Sequence, residues 1–230
     1  MEFVTSEIQD GICVLRLDHG KPNSISQAVA EELMNAFDEA EKSADAIVLF
    51  GKAGMFSGGF DLATMSSGPA ATRAMLKAGA RLLMSIFNHP KPVVIGCGGH
   101  AIAMGAFIAM AGDERIGAEG DFKIGMNETA IGMTLPTFAF ELARVRLSKR
   151  HFDRALIHST IYDPAGAVEV GILDRLVSPD RLETECIEAA IRLATLKQPA
   201  FRNNKRIAHA ETVEVILSTL DENLDKMVPG

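Results

Sequence analysis

A short β-branched run, Val93-Val94-Ile95, passes directly into Gly96-Cys97-Gly98-Gly99 and then into Ala101 to Ala111, rich in small residues and apolar on every face. A stretch that is apolar all round has no face to give to water, so protein must surround it. The pattern predicts a buried strand, a glycine turn where backbone approaches backbone or ligand closely, and a buried helix over Ala101–Ala111. The first N–H groups of such a helix lack partners within it and point into protein, where they can hold a developing oxyanion. Taken alone, the unit is equally well a structural βα turn. The next segment favours a site: Asp121 to Glu128 ends on a carboxylate in a largely apolar stretch, and Thr-Ala-Ile-Gly-Met-Thr-Leu-Pro continues it to Pro136. A carboxyl group in apolar company is a candidate general base.

The flanking segments supply a framework for that unit. Glu2 to Gln9 and Ile12 to Leu17 form a hairpin about Asp10-Gly11, with Cys13, Leu15 and Leu17 on one face of the second strand and Ile12 and Val14 on the other. Ser24 or Ser26 caps an amphipathic helix marked by Val29, Leu33, Ala36, Phe37 and Ala40, and Ala46 to Phe50 is a buried strand. Strand, helix and strand make a right-handed βαβ unit with parallel pairing. Gly51 to Gly54 turns the chain into Phe56–Leu62, and Thr64 to Pro69 is a flexible loop. Thr72 to Phe87 has helical spacing and stops before His89-Pro90-Lys91-Pro92. Beyond Pro136 come helices at Thr137–Leu147 and Phe152–His158, one long helix from Asp180 to Lys197, and a last one from Phe201 to about Leu224. The class is α/β.

At 230 residues one large core is feasible, with a small appendage. A net charge of −7 argues against a nucleic-acid binder, and no apolar run is long enough to span a bilayer. Cys13, Cys97 and Cys186 are far apart without Cys-x-x-Cys spacing, and no signal peptide opens the chain, so the expected location is cytoplasmic with free thiols. Cys97, in the glycine run, reads either as a nucleophile or as a buried structural thiol, and no His-Asp or His-Asn partner is legible for it. No His, Asp or Glu cluster has metal-ligand spacing, so no metal site is expected. Gly96-x-Gly98-Gly99 is too short for a dinucleotide or Walker-type loop.

Three motifs in order carry a resemblance. Gly99-His100-Ala101-Ile102-Ala103-Met104-Gly105 with Asp113 closing its helix, Asn127-Glu128-x-x-x-Gly132-x-x-x-Pro136, and Phe56-Ser57-Gly58-Gly59-Phe60-Asp61-Leu62 are similar to the signature of the crotonase (enoyl-CoA hydratase/isomerase) superfamily. Lys21-Pro22-Asn23-Ser24 sits where that family has its first CoA-contacting loop, and Asp163 to Asp174 resembles its D-P-x-x-A-x-x-x-G-x-x-D passage. The resemblance implies a crotonase fold of stacked ββα units with a C-terminal helical region: a core at 1–195 and a helical oligomerisation segment at 196–230, shortened relative to the family. It also implies an acyl-CoA thioester substrate, CoA being part of the substrate with no separate cofactor, and a homotrimer or hexamer.

Carried over residue by residue, the resemblance makes Glu128 the catalytic base and the backbone N–H groups of Phe60 and Met104 the oxyanion hole. Lys21, Gly58, Asp61, Leu62, Gly105, Phe107, Asn127 and Ile131 fall on its substrate- or CoA-binding positions. Asp61 reads equally as the cap of a following helix, His100 as a catalytic or a packed histidine, and Met65, Met75 and Leu76 as acyl-pocket lining or as core. The hydratases of the family use two glutamates. The second belongs six residues before Asp113, and there this chain has Phe107, which neither accepts nor donates a proton. A single glutamate suits double-bond migration in a 3-enoyl-CoA better than hydration. Enoyl-CoA isomerase is therefore the first expectation, and hydratase, CoA-thioester hydrolase and a non-catalytic acyl-CoA binder are the alternatives.

Overall fold

The computed structural model describes residues 2–228, so residues 1, 229 and 230 of the two-part division lie outside the described residues. Strands β1 (Val4–Gln9) and β2 (Ile12–Leu17) form the expected hairpin, and helix α1 (Gln27–Ser43) starts at Ser26, whose side chain accepts from the Val29 amide. Next in the chain are β3 (Ala46–Phe50), β4 (Gly54–Ser57), α2 (Leu62–Ser66) and α3 (Pro69–Phe87). The central stretch gives β5 (Val93–Cys97), β6 (Gly99–Ile102) and α4 (Met104–Ala111), then β7 (Glu114–Ala118) and β8 (Ile124–Gly125). Helices α5 (Thr137–Arg146), α6 (Phe152–Leu156) and α7 (Pro164–Val170), strand β9 (Arg175–Val177), and helices α8 (Leu182–Ala194) and α9 (Gln198–Met227) complete the chain.

Two sheets organise these elements. The larger has the order β1-β2-β3-β5-β7-β9, parallel except for the β1–β2 hairpin, and the smaller is the parallel trio β4-β6-β8. Each of β3, β5 and β7 is followed by its partner in the small sheet and then by helix, which is the stacked ββα pattern. The alternation in β2 works as expected. Cys13, Leu15 and Leu17 enter the main core with α1, α3 and α4, and Ile12 and Val14 enter a second core layer under α8 with Val48, Val94 and Cys186.

Several local expectations change. The glycine run is not a turn: Gly96 and Cys97 extend β5 and Gly99 opens β6, which delays the helix to Met104. A side chain at Gly99 would sit 2.0 Å from the Gly54 carbonyl carbon, so the glycine lets β6 lie against β4. In place of a flexible loop after Phe56–Leu62 there is α2, because Asp61 caps it and the Thr72 hydroxyl donates back to the carbonyls of Met65 and Gly68. The long helix expected from Asp180 is a short 3₁₀ turn, Pro179–Arg181, followed by α8. The last helix is longer than expected, since Pro199 at its start gives up only an amide that has no helical partner there. Helix α9 adds Ile216, Leu220 and Leu224 to the main core, and Lys205 on it forms a buried ion pair with Asp113 at 2.7 Å. No helix among the described residues is long and apolar enough to cross a membrane.

Candidate active site

Because β4, β6 and β8 are parallel neighbours, the loops that leave their C-terminal ends lie side by side. These are Gly58–Asp61, Ala103–Met104 and Met126–Glu128. Together they enclose a cavity of about 110 Å³ lined by Gly58, Phe60, Leu62, Met65, Ile102, Ala103, Asn127, Glu128, Ile131 and Met133. Of the residues expected from sequence, the structure brings Gly58, Phe60, Leu62, Asn127, Glu128 and Ile131 onto this wall.

The first loop is held by its neighbours rather than by regular pairing. Asn23, fully buried, donates to the carbonyls of Leu17 and Phe56 and accepts from the His19 amide. Gly58 donates to the Pro22 carbonyl, Ile25 donates to Gly59, and Asp61 donates to Ile25. This bridge leaves the amide of Phe60 without an acceptor among the described residues. Gly59 has φ +98°, and a side chain there would meet Ala103 Cβ and the Ile102 carbonyl at 3.0 Å, so glycine lets the first two loops press together.

In the second loop Ala103 takes φ 53°, ψ −120°, an unusual conformation for a residue with a side chain, at a cost of roughly 1–3 kcal/mol. Its amide donates to the Gly125 carbonyl, and its own carbonyl accepts from Ala106 and Phe107. Met104, the first residue of α4, keeps an amide with no acceptor among the described residues. Gly105 lets α4 approach β4, since a side chain there would lie 2.4 Å from the Ser57 carbonyl oxygen.

The third loop fixes Glu128 through its backbone. The Glu128 carbonyl accepts from Ile131 and Met133, and the 3₁₀ turn Thr129–Ile131 ends at Gly132 in the left-handed region. The Thr129 hydroxyl reaches the Leu156 carbonyl, and the Ala130 amide reaches the Ser159 hydroxyl. The side chain is treated differently: Glu128 Oε2 is shut off from solvent with no hydrogen-bond partner. Burial pushes its carboxyl up from the ordinary 4.5 to about 7. It is the one ionisable side chain on the cavity wall among the described residues.

Other candidates lie elsewhere. Phe107 and the Met104 side chain are buried in the main core, and Gly105 is buried against β4; none reaches the cavity wall. Lys21 is exposed on the loop after β2. Asp61 caps α2, accepting from the amide and hydroxyl of Thr64 and from Ser24, and these bonds hold its carboxyl below the usual range. His100 accepts from the Lys123 amide and meets Phe122 edge-on, away from the cavity. Cys97 donates to the Gly99 carbonyl, and burial pushes its thiol up to about 12, which makes it a poor nucleophile. Of the three methionine and leucine candidates, Met65 lines the cavity while Met75 and Leu76 are core.

Ile102, Ala103 and Met133 are on the wall without having been singled out in the sequence. Met133 lies inside the Glu128-to-Pro136 run, which was a usable signal, whereas nothing in an alanine announces a positive φ. A larger groove of about 600 Å³ between α1, α3 and α9 is lined by charges of both signs, and its Lys77 and Asp221 already pair with each other.

A lone carboxylate with one oxygen shut off from solvent shares a cavity wall with Phe60, whose amide is free, and the free amide of Met104 follows the wall residue Ala103 at a helix start; such an arrangement suits stabilisation of an enolate or related oxyanion. The comparisons agree with that class. Residues 7–227 match the enoyl-CoA hydratase/isomerase family, and the chain belongs to that family. An enoyl-CoA hydratase/isomerase family protein from Pseudomonas syringae superposes with a TM-score of 0.96 at 35% identity, over 98% of each chain. Human mitochondrial delta3-delta2-enoyl-CoA isomerase superposes with a TM-score of 0.94 at 25% identity, over 98% of this chain and 90% of the other. A Mycobacterium avium protein named "probable enoyl-CoA hydratase" is 30% identical over 78% of this chain and 72% of its own length. The fold is the crotonase fold, and the protein is an enoyl-CoA hydratase/isomerase family enzyme.

Proposed function

We propose that this enzyme moves the double bond of a 3-enoyl-CoA to the 2-position. Glu128 takes a proton from the α-carbon, and the electron pair left behind delocalises onto the thioester oxygen. The amides of Phe60 and Met104 hold that oxygen, and Glu128 returns the proton at the γ-carbon. Atoms and electrons balance within the substrate, so the reaction as read needs no cofactor beyond the CoA that the substrate carries. Gly58, Leu62, Asn127 and Ile131 surround the reacting carbons, and Lys21, outside the cavity, is read as a contact to the CoA phosphates.

One observation carries the reading: Glu128 has no acid–base companion on the cavity wall, and Phe107 fills the position of the second glutamate with a core side chain. Its raised carboxyl lies near neutral pH, where a general base works best. Hydration is the competing reading, supported by the name of the M. avium relative. It requires a water to be oriented and deprotonated as well, and a missing acid–base group lowers such a rate by ~10²–10⁴-fold. The test is to measure both reactions on the purified protein. Isomerisation of a 3-enoyl-CoA is expected to outrun hydration of its 2-enoyl product, and hydration at an equal or higher rate would overturn the assignment. The family resemblance extends to a homotrimer or hexamer, and a monomer by light scattering at micromolar concentration would remove that part of the reading.

A further inference from the structure

The cavity is small for a fatty-acyl site, and one side chain accounts for its depth. About 110 Å³ accommodates roughly four groups of water or methylene size at ~30 Å³ each. Apart from Asn127 its wall is apolar, with Met65, Ile102 and Met133 sharing the space with the one carboxylate. Leu62 and Ile131 are mostly exposed, at 67% and 56%, which marks them as the mouth. Phe60 closes the inner side. Phe60 lines the cavity, and its ring packs on α3 at Gly79, where an added side-chain carbon would sit 2.5 Å from ring atoms Cε1 and Cζ. Met104 Cε lies 3.3 Å from the same point, so the ring is held between α3 and α4. The Phe60 ring therefore stands where a longer acyl tail would continue toward α3, and Gly79 is the residue that makes room for it.

We propose that the Phe60 side chain, seated on Gly79, is the chain-length stop of this site and restricts the enzyme to short acyl groups of about four to six carbons, the number that roughly four methylene-sized groups allow. This rests on the isomerase reading for its turnover readout but not for its binding readout. The two roles of Phe60 are separable in principle, because the proposed oxyanion donor is main chain and the stop is side chain.

The test measures affinity for saturated acyl-CoAs of 4, 6, 8, 10 and 12 carbons by calorimetry, and kcat/KM for the matching 3-enoyl-CoAs, on wild type and Phe60→Ala. Where a pocket admits the tail, each buried methylene tightens binding about fourfold. Wild-type affinity is expected to stop rising beyond six carbons, and Phe60→Ala to restore the rise and increase the ten- to four-carbon preference ratio about 10–100-fold. Phe60→Leu, which keeps the site filled should the alanine variant fail to fold, is expected to fall between the two. Met65→Ala, on another wall, is expected to shift the ratio less. Wild-type affinity that keeps climbing to ten carbons, or a ratio unchanged in both Phe60 variants, overturns the stop. A binding limit at six carbons with no turnover of any 3-enoyl-CoA leaves the stop standing and removes the isomerase reading instead.

Discussion

The two ends of the buried helix α4 are built on opposite principles. At its start the amides of Met104 and Phe60 have no acceptor among the described residues, Ala103 is held at positive φ, and Glu128 Oε2 is buried without a partner. At its end Asp113 accepts from the Val93 amide at 2.8 Å and from Lys205 at 2.7 Å, and the Gly112 carbonyl accepts from Arg146. Arg146 also lies over the Phe87 ring, and His209 stacks on that ring, with burial lowering the histidine to about 4. A buried polar group without a partner costs about 1–3 kcal/mol, and several at one place need a reason. The difference is one of pairing: the far end is saturated apart from Arg146 Nε, with a carboxylate and a cation satisfying each other, whereas at the near end a carboxylate oxygen and two amides all stand open.

Changes at the open end should harm catalysis without harming the fold, and changes at the saturated end should do the reverse. The largest expected effect is Glu128→Gln, which should lower kcat by ~10²–10⁴-fold with the fold retained; a rate within about tenfold of wild type would dismiss Glu128 as the base. The same carboxyl sets the pH dependence. Activity on the Glu128 limb should rise with pH and level off above about 7 as the base loses its proton, read from kcat/KM against pH.

Stability should move the other way. Below the ordinary 4.5 the carboxyl is protonated in both folded and unfolded chains and makes no difference. Between 4.5 and about 7 only the unfolded chain releases the proton, so wild type loses stability as pH rises, up to about 3 kcal/mol at ~1.36 kcal/mol per pH unit. Glu128→Gln should therefore gain stability over wild type at about pH 8 and lose that advantage toward pH 4.5, measured by urea unfolding. An equal gain at both pH values would mean that ionisation is not the cause.

At the saturated end, Lys205→Met strands Asp113 and should cost roughly 3–5 kcal/mol, with kcat of the folded fraction unchanged. A comparable loss in kcat would join the two ends into one functional unit. The smallest effect is expected from Ala103→Gly. It relieves the positive φ but frees the unfolded chain, so stability should stay within about 1 kcal/mol, whereas Ala109→Gly in the middle of α4 should be clearly destabilising in the same unfolding assay.

Much of the fold is legible in the sequence. The face alternation of β2, the Ser26 cap, the apolar central helix and the carboxylate at Glu128 each follow from local rules of period, capping and polarity, and the three motifs in order carried the family. The small sheet was not legible. Strands β4, β6 and β8 have only four, four and two residues, too short for a periodic signal, and they exist because parallel neighbours supply their hydrogen bonds. For that reason Gly99, expected in a turn, proved to be a place where two strands touch.

What the sequence by itself determined is which residues are apolar, which can cap, and that Phe107 stands where the family resemblance places a second glutamate. Tertiary structure alone decided which of those residues meet. Phe107 and Phe60 are the same residue type, yet one is core and the other is cavity wall. The Phe60 ring packs against α3 at Gly79, nineteen positions away in sequence, where a side chain would collide with it. Burial of Glu128 likewise comes from loops supplied by separate turns of the chain, and its raised carboxyl follows from that enclosure rather than from any neighbour in sequence.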